Sequence, residues 1–581
     1  MAGQEAFSVL TAPRQVAVKR GKWLDFPIMS SEHNAERQPS LLDASCDNFA
    51  ADLAALTPTD ATAWGVAGYE GELQDFSPEY YEAVADRTRE MIADLDALDD
   101  STDESDDEDD FDDVDYVTAA VLRDRLCLDL DMHHRMEDLR LLNNIASPVQ
   151  TIRDTLLLMP QETEEDLDAI RSRLSKVGSA LAGYRDSLTE AASHGLVAAN
   201  RQINEVIGQC NALTDSDSML DELGLAEDSA EVEHAKQAFE EFSAWLSTDL
   251  QPQAPTSDAF GRERYELFSH LFVGDVVDVD EAYRWGLEQL REINAEQEKI
   301  AHSLYGNECT VRTAMRKFNQ EERYLLRGKD ALVEWMQSTA DRAIEELDGK
   351  YFDVPEQVRE IECCIDPAGT GGIFYTQPAD DFSRPGRMWW SVPAGQDVFH
   401  TWQELTTVHH EGVPGHHLQI GQALVEPDLN LWRRSVCWNS GHGEGWALYA
   451  EELMAELGYM DDPGYRMGLL DAKRLRAARV VADIGLHLGK KMPDGSGVWD
   501  KSHVHTFMRE NTAMDSANLS FEVNRYLGWA GQAPSYALGA RLWRQTRDEA
   551  VAQGMSEREF HAEALALGSV PMSILRETIL D

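Results

Sequence analysis

Lysine is scarce in this chain. About a dozen of its 51 basic residues are lysine, the rest arginine, and 106 acidic residues stand against them. The net charge of −55 excludes functions that need a basic face, because nucleic acid and anionic membrane surfaces would repel it. Cysteine is sparse as well. Cys46, Cys127, Cys210, Cys309, Cys363, Cys364 and Cys437 are odd in number and contain no Cys-x-x-Cys, so neither a disulfide framework nor a thiolate zinc cluster is indicated. Long apolar runs are missing: nothing approaches the ~20 uninterrupted apolar residues of a membrane span. Met1-Ala2-Gly3-Gln4-Glu5 lacks the charged-then-apolar start of a signal peptide. The expectation is a cytoplasmic protein with no nucleic-acid and no membrane partner. No internal repeat is visible.

What is present suffices for a large folded body. The hydrophobic fraction is 43% over 581 residues, more than one core usually serves, so two lobes are expected. The acids are spread along the whole chain, which suits a hydrated surface adapted to high salt, where self-repulsion is screened. Residues 1–40 lack a clear period and are expected to form a flexible tail. Residues 41–250 read as successive amphipathic helices, interrupted at 99–115 by an acidic run with no calcium-loop pattern, expected to be a solvated insertion. Gln251–Ser257 serves as a linker, and 258–581 forms a second helical lobe. Within it, Val358–Ile365 has strand composition. Gly371–Thr376 and Arg387–Val392 flank a Pro-Gly turn and read as a β-hairpin.

The chain is organised around Val408-His409-His410-Glu411-Gly412-Val413-Pro414-Gly415-His416-His417-Leu418-Gln419, which holds four of the 17 histidines. Neutral imidazoles suit Zn²⁺, and a Glu directly after the first ligand is placed to work on a metal-bound water. The usual His-Glu-x-x-His spacing sets two imidazoles one turn apart on one helical face. Here His416 follows His410 by six positions and His417 by seven, and on a regular helix neither can share an ion with it. Pro414-Gly415 is the place for an irregularity, since proline removes a donor and glycine relaxes the backbone. A two-residue bulge there returns a histidine to the face of His410. His416 is preferred as that ligand, with His417 as the alternate.

His410-Glu411-x-x-Pro414-Gly415-His416-His417-Leu418-Gln419, followed by Glu444-Gly445-Trp446-Ala447-Leu448-Tyr449-Ala450-Glu451, resembles the family catalogued as "domain of unknown function 885". That family is in turn similar to helical zinc peptidases of the thimet-oligopeptidase and carboxypeptidase Taq kind. The resemblance implies a mainly α, two-lobed, zincin-like fold with a small β-hairpin beside the metal-site helix. It also implies one Zn²⁺ held by His410, His416 and Glu444, with Glu411 as general base. The chain departs from those peptidases by carrying two extra residues between the histidines. Arg474–His487, Arg525-Tyr526 and Gly531–Tyr536 resemble the family's C-terminal pattern, with Ala530-Gly531-Gln532 where Pro-Gly-Gln is usual. By that resemblance His487 and Tyr536 are expected as catalytic hydrogen-bond donors to a developing oxyanion, and Arg525 as a substrate contact. Tyr375 and Trp389 of the hairpin are expected to line the cleft. The implied activity is hydrolysis of short peptides. An esterase or amidase on a small amide or ester, and a non-catalytic helical binding protein, are the rival expectations.

Overall fold

The computed structural model describes residues 37–102, 111–226, 228–366, 372–378, 382, 384–393, 395–514 and 516–580. Most of the tail expected at 1–40, and the centre of the acidic run, lie outside the described residues. Helices dominate, with two small sheets, as the mainly α pattern implied. Among the described residues no helix is long and apolar enough to cross a membrane.

The helix starts are encoded locally. Ser40 with Asp43, Asp112 with Asp115, Thr163 with Asp166 and Ser556 with Glu559 form reciprocal capping boxes. Each cap oxygen accepts an otherwise unpaired amide, an arrangement worth ~1 kcal/mol. The carboxylates also meet the positive end of the helix dipole. Asp112 and Asp115 pair with Arg37, and Asp115 is buried. The end of the acidic run is therefore folded into a helix start, where the sequence suggested solvated chain.

Apolar helical faces meet in several cores. One joins Leu42, Phe49 and Leu122 to Trp390, Trp446 and Trp543, so the first helices of the chain pack with its C-terminal half. A second is built within residues 76–250 around Leu174, Tyr184 and Phe239. A third gathers Tyr265, Val481, Val504 and Tyr526.

Two devices position the region of the histidines. Strand Val398–His400 pairs antiparallel with Leu325–Arg327 and runs directly into helix Thr401–Glu411. Beside that helix lies a three-stranded sheet. Its central strand Gly386–Ser391 is antiparallel to Ile373–Thr376, the expected hairpin, and parallel to Ile361–Asp366. The second device is a glycine crossing between helices Ser440–Glu456 and Gln532–Gln553. A Cβ on Gly539 would fall 2.0 Å from the Gly441 carbonyl oxygen, and one on Gly445 would fall 2.5 Å from the Gly539 carbonyl carbon. Only glycine permits backbones this close. The crossing brings Glu444 and Tyr536, on the two helices, toward one another.

Candidate metal centre

The helix expected to run from Trp402 to Gln419 is broken in two. Thr401–Glu411 ends at Gly412, and His416–Val425 begins after Gly415. The Val413–Pro414 peptide between them is cis. The break takes four residues, more than the two-residue bulge expected, because proline cannot donate and the chain must turn back on itself. The Gly415 amide donates to the His409 carbonyl at 3.1 Å. A side chain is excluded at Gly415, where a Cβ would lie 1.9 Å from the His410 carbonyl oxygen. Trp446, fully buried on the next helix, donates its indole N–H to the Pro414 carbonyl at 2.8 Å, satisfying an acceptor that the break leaves open.

The break returns His416 to His410. Their rings lie 4.9 Å apart and nearly perpendicular. The two Nε2 atoms reach the same oxygen of Glu444, at 3.5 and 3.6 Å. One ligand atom from each of the three residues lies within 4.8 Å of the others. For ligands ~2.1 Å from an ion, tetrahedral neighbours stand ~3.4 Å apart, so this donor set fits one zinc. The side chains of His410 and His416 are buried, whereas that of Glu444 is 20% exposed, which leaves the centre open on the glutamate side.

Behind His410 stands a second carboxylate. Nδ1–H of His410 donates to Glu451 at 2.8 Å, and the other Glu451 oxygen accepts from the Thr406 hydroxyl. That bond fixes the tautomer and turns Nε2 toward the centre. Glu451 is buried and supports the His410 ring. Thr406 was missed altogether, although it lies one turn before His410 on the same helical face. Burial alone would push the His410 imidazole down, but Glu444 and Glu451 on its two nitrogens hold it up at about 10. Burial would likewise raise Glu444, and the two imidazoles outweigh it, holding that carboxyl well below its usual range. Glu411 is buried and its carboxyl is raised, chiefly by burial, with His410 and His416 opposing. It has no hydrogen-bonding partner among the described residues.

His417, the alternate ligand, points elsewhere. Its Nε2–H donates to the Val358 carbonyl at 2.8 Å, and Nδ1 accepts from the Tyr375 hydroxyl at 2.9 Å. Both nitrogens are used. Tyr375 is therefore tied to the back of the motif rather than lining a cleft. Nor does it share a sheet face with Trp389. Tyr375 pairs with Met388, and Trp389 with Phe374, and cross-strand partners project to the same side. Trp389 stacks on Phe374 and donates to Thr376, on the opposite face.

His487, expected beside an oxyanion, is a core residue. Its Nδ1 accepts the Phe260 amide at 3.3 Å, and Nε2–H donates to the Tyr526 carbonyl at 2.8 Å. Burial holds its imidazole down at about 4. Tyr536 does approach the centre. Its phenol is raised by burial and then by the Glu444 charge, and Arg525 donates to its oxygen at 3.4 Å. Arg525 is itself buried and bound to Glu522 and Gln532, so it orients Tyr536 and is not free to take a substrate.

A family model described as "Bacterial protein of unknown function (DUF885)" matches residues 58–579. Among solved structures, "the putative lipoprotein from Colwellia psychrerythraea" superimposes with a TM-score of 0.76 at 20% identity, over 93% of this chain and 98% of that one. "A putative lipoprotein of unknown function from Shewanella oneidensis" gives 0.71 at 16% identity, over 93% and 100%. At these identities the likeness establishes the fold. No curated protein matches the chain. Both neighbours are described as lipoproteins, and this overturns the cytoplasmic placement drawn from Met1–Glu5: lack of a signal-like start does not decide the compartment of a chain with this fold. The match spans nearly the whole sequence, and the chain belongs to the bacterial family of unknown function DUF885.

Proposed function

We propose that the protein is a zinc-dependent hydrolase of short peptides, its helical body of the two-lobed zincin-like kind. The observation that carries this reading is the convergence of His410, His416 and Glu444 across a helix break, with Glu451 on the far nitrogen of His410. Structural zinc sites close their coordination with four protein ligands, whereas three ligands and an open side suit catalysis.

A bound ion would supply Lewis acidity there, acidifying water and polarising a carbonyl. The chain supplies the proton handling. Glu411 directly follows the ligand His410, is buried, and has a raised carboxyl, the profile of a base that accepts a proton and returns it to a leaving amine. Tyr536, oriented by Arg525 and close to Glu444, donates a hydrogen bond to the carbonyl oxygen as negative charge develops. Glu451 and Thr406 keep the His410 ring fixed.

The test is Glu411→Gln, assayed for zinc content and for hydrolysis of a panel of short peptides and esters in high-salt buffer. Gln keeps shape and hydrogen bonding but cannot take the proton. Zinc should be retained while turnover falls at least ~10²-fold. Near wild-type turnover would place the base elsewhere. Hydrolysis confined to the esters would favour the esterase reading.

A further inference from the structure

Trp438 is anomalous among the tryptophans near the site. Trp432, Trp446 and Trp543 are buried, whereas Trp438 is 48% exposed between two buried neighbours, Cys437 and Asn439. Its exposure does not come from a loose loop. The Asn439 amide donates to the Ser569 hydroxyl at 2.9 Å, and on the other side of the ring the Cys437 amide donates to the Trp432 carbonyl at 2.8 Å and its thiol to the Ser569 carbonyl at 3.4 Å.

Asn439 caps helix Ser440–Glu456, so Trp438 stands one residue before the cap. An apolar residue there usually packs against an apolar side chain on the fourth residue of the helix. In this chain that fourth residue is Gly443, which offers the ring no side chain. A Cβ on Gly443 would fall 2.2 Å from the ring, so the indole lies against bare backbone beside Glu444. Its other neighbour is His416, with ring centroids 6.4 Å apart. A rigid, half-exposed indole thus touches one metal-ligand residue and the residue preceding another.

We propose that Trp438 is the wall of an apolar subsite that takes an aromatic or large aliphatic side chain of a peptide, on the residue flanking the bond cleaved. The inference rests on the hydrolase reading for the identity of the ligand. Indoles and apolar side chains both gain by leaving water, and ring stacking adds to that gain. The position beside His416 and Gly443 puts this gain within one residue of the reacting bond. Gly443 is a positioning residue here: it acts only by leaving room for the ring.

The test measures binding apart from turnover. Tetrapeptides Ala-Xaa-Zaa-Ala, with Phe, Leu or Gly at either central position, are titrated calorimetrically into zinc-loaded Glu411→Gln protein. At one of the two positions Phe or Leu should bind at least about tenfold more tightly than Gly, the discrimination an apolar pocket supplies. Trp438→Ala should reduce that ratio below about twofold, and so should Gly443→Ala, whose methyl displaces the ring and which favours the helix. Zinc content and helical circular dichroism are followed in both variants. Equal binding of Phe and Gly peptides by the parent, no binding of either, or a preference that survives both substitutions would overturn the proposal. Hydrolysis by the wild type runs in parallel. A binding preference without hydrolysis would refute the peptidase reading and leave the subsite standing.

Discussion

Replacing Glu451 by Gln isolates what a buried charge adds behind the proposed metal ligand His410. Glu451 is 2% exposed, so solvent screens little of its charge. One oxygen accepts from His410 Nδ1–H at 2.8 Å and the other from the Thr406 hydroxyl. Glutamine can keep both bonds, its carbonyl accepting from the imidazole and its amide donating to the threonine oxygen. Only the negative charge is lost. Supporting partners of this kind typically contribute 10–100-fold in metal affinity, which is ~1.4–2.8 kcal/mol. A proton on His410 offsets part of that loss. Glu444 and Glu451 hold the metal-free imidazole at about 10, so zinc must displace a proton that the substitution also loosens. The divalent ion feels the removed charge twice as strongly as the proton does, so the sign survives and the lower end, roughly tenfold, is expected at neutral pH. The measurement is a competition titration against a chromophoric chelator in molar salt, where long-range surface charge is screened. Unchanged affinity would mean that the His410–Glu451 bond does not tune the ligand. Complete loss of zinc with the fold intact would mean that Glu451 is itself a ligand.

Three further outcomes follow from the same geometry. His416→Ala should lose zinc while His417→Ala retains it, because both nitrogens of His417 are engaged by Val358 and Tyr375; metal analysis of the pair reads this directly, and equal retention would reject the ligand register. Gly415→Ala should destabilise the protein by ~2–3 kcal/mol and weaken zinc binding, because its methyl meets the rigid His410 carbonyl; chemical denaturation showing no change would mean the break can move freely. His561 is buried with its imidazole lowered to about 3, chiefly by burial. Its folded pKa lies below the unfolded value, so the stability it contributes is complete above about 6.5 and is lost as the pH falls toward 3. Between pH 7.5 and 5 that amounts to ~2 kcal/mol, and denaturant unfolding of His561→Gln should show a pH slope smaller by that amount.

Helices were legible because their signals are local: Thr163 and Asp166, or Ser556 and Glu559, announce a start within four residues. Sheets were legible only in part. The hairpin joins strands close in sequence. The pairing of Leu325–Arg327 with Val398–His400 joins three-residue segments too short to show alternation, from positions far apart in the chain. The same limit explains the error over Tyr375 and Trp389. Alternation assigns faces within one strand, but these residues sit on two strands. The register Tyr375↔Met388 that sets them on opposite faces appears only once the strands are paired.

The site divides along the same line. His410, Glu411 and Glu444 were legible because each lies on regular helix, where position in sequence fixes direction in space. The choice between His416 and His417 depends instead on four residues of irregular backbone, whose exit direction no periodicity describes. The directions of the two rings depend on partners from elsewhere: the Val358 carbonyl and the Tyr375 hydroxyl take up His417, and the Trp446 indole holds the Pro414 carbonyl. His487 shows the converse. An imidazole satisfied by two backbone groups, the Phe260 amide and the Tyr526 carbonyl, has the same sequence signature as one poised for catalysis. The difference lies in what the ring nitrogens meet. His410 and His416 turn Nε2 toward a shared carboxylate, and His487 and His417 have no nitrogen to spare. For these four histidines, what the ring nitrogens meet distinguishes the candidate ligands from the core residues where spacing cannot.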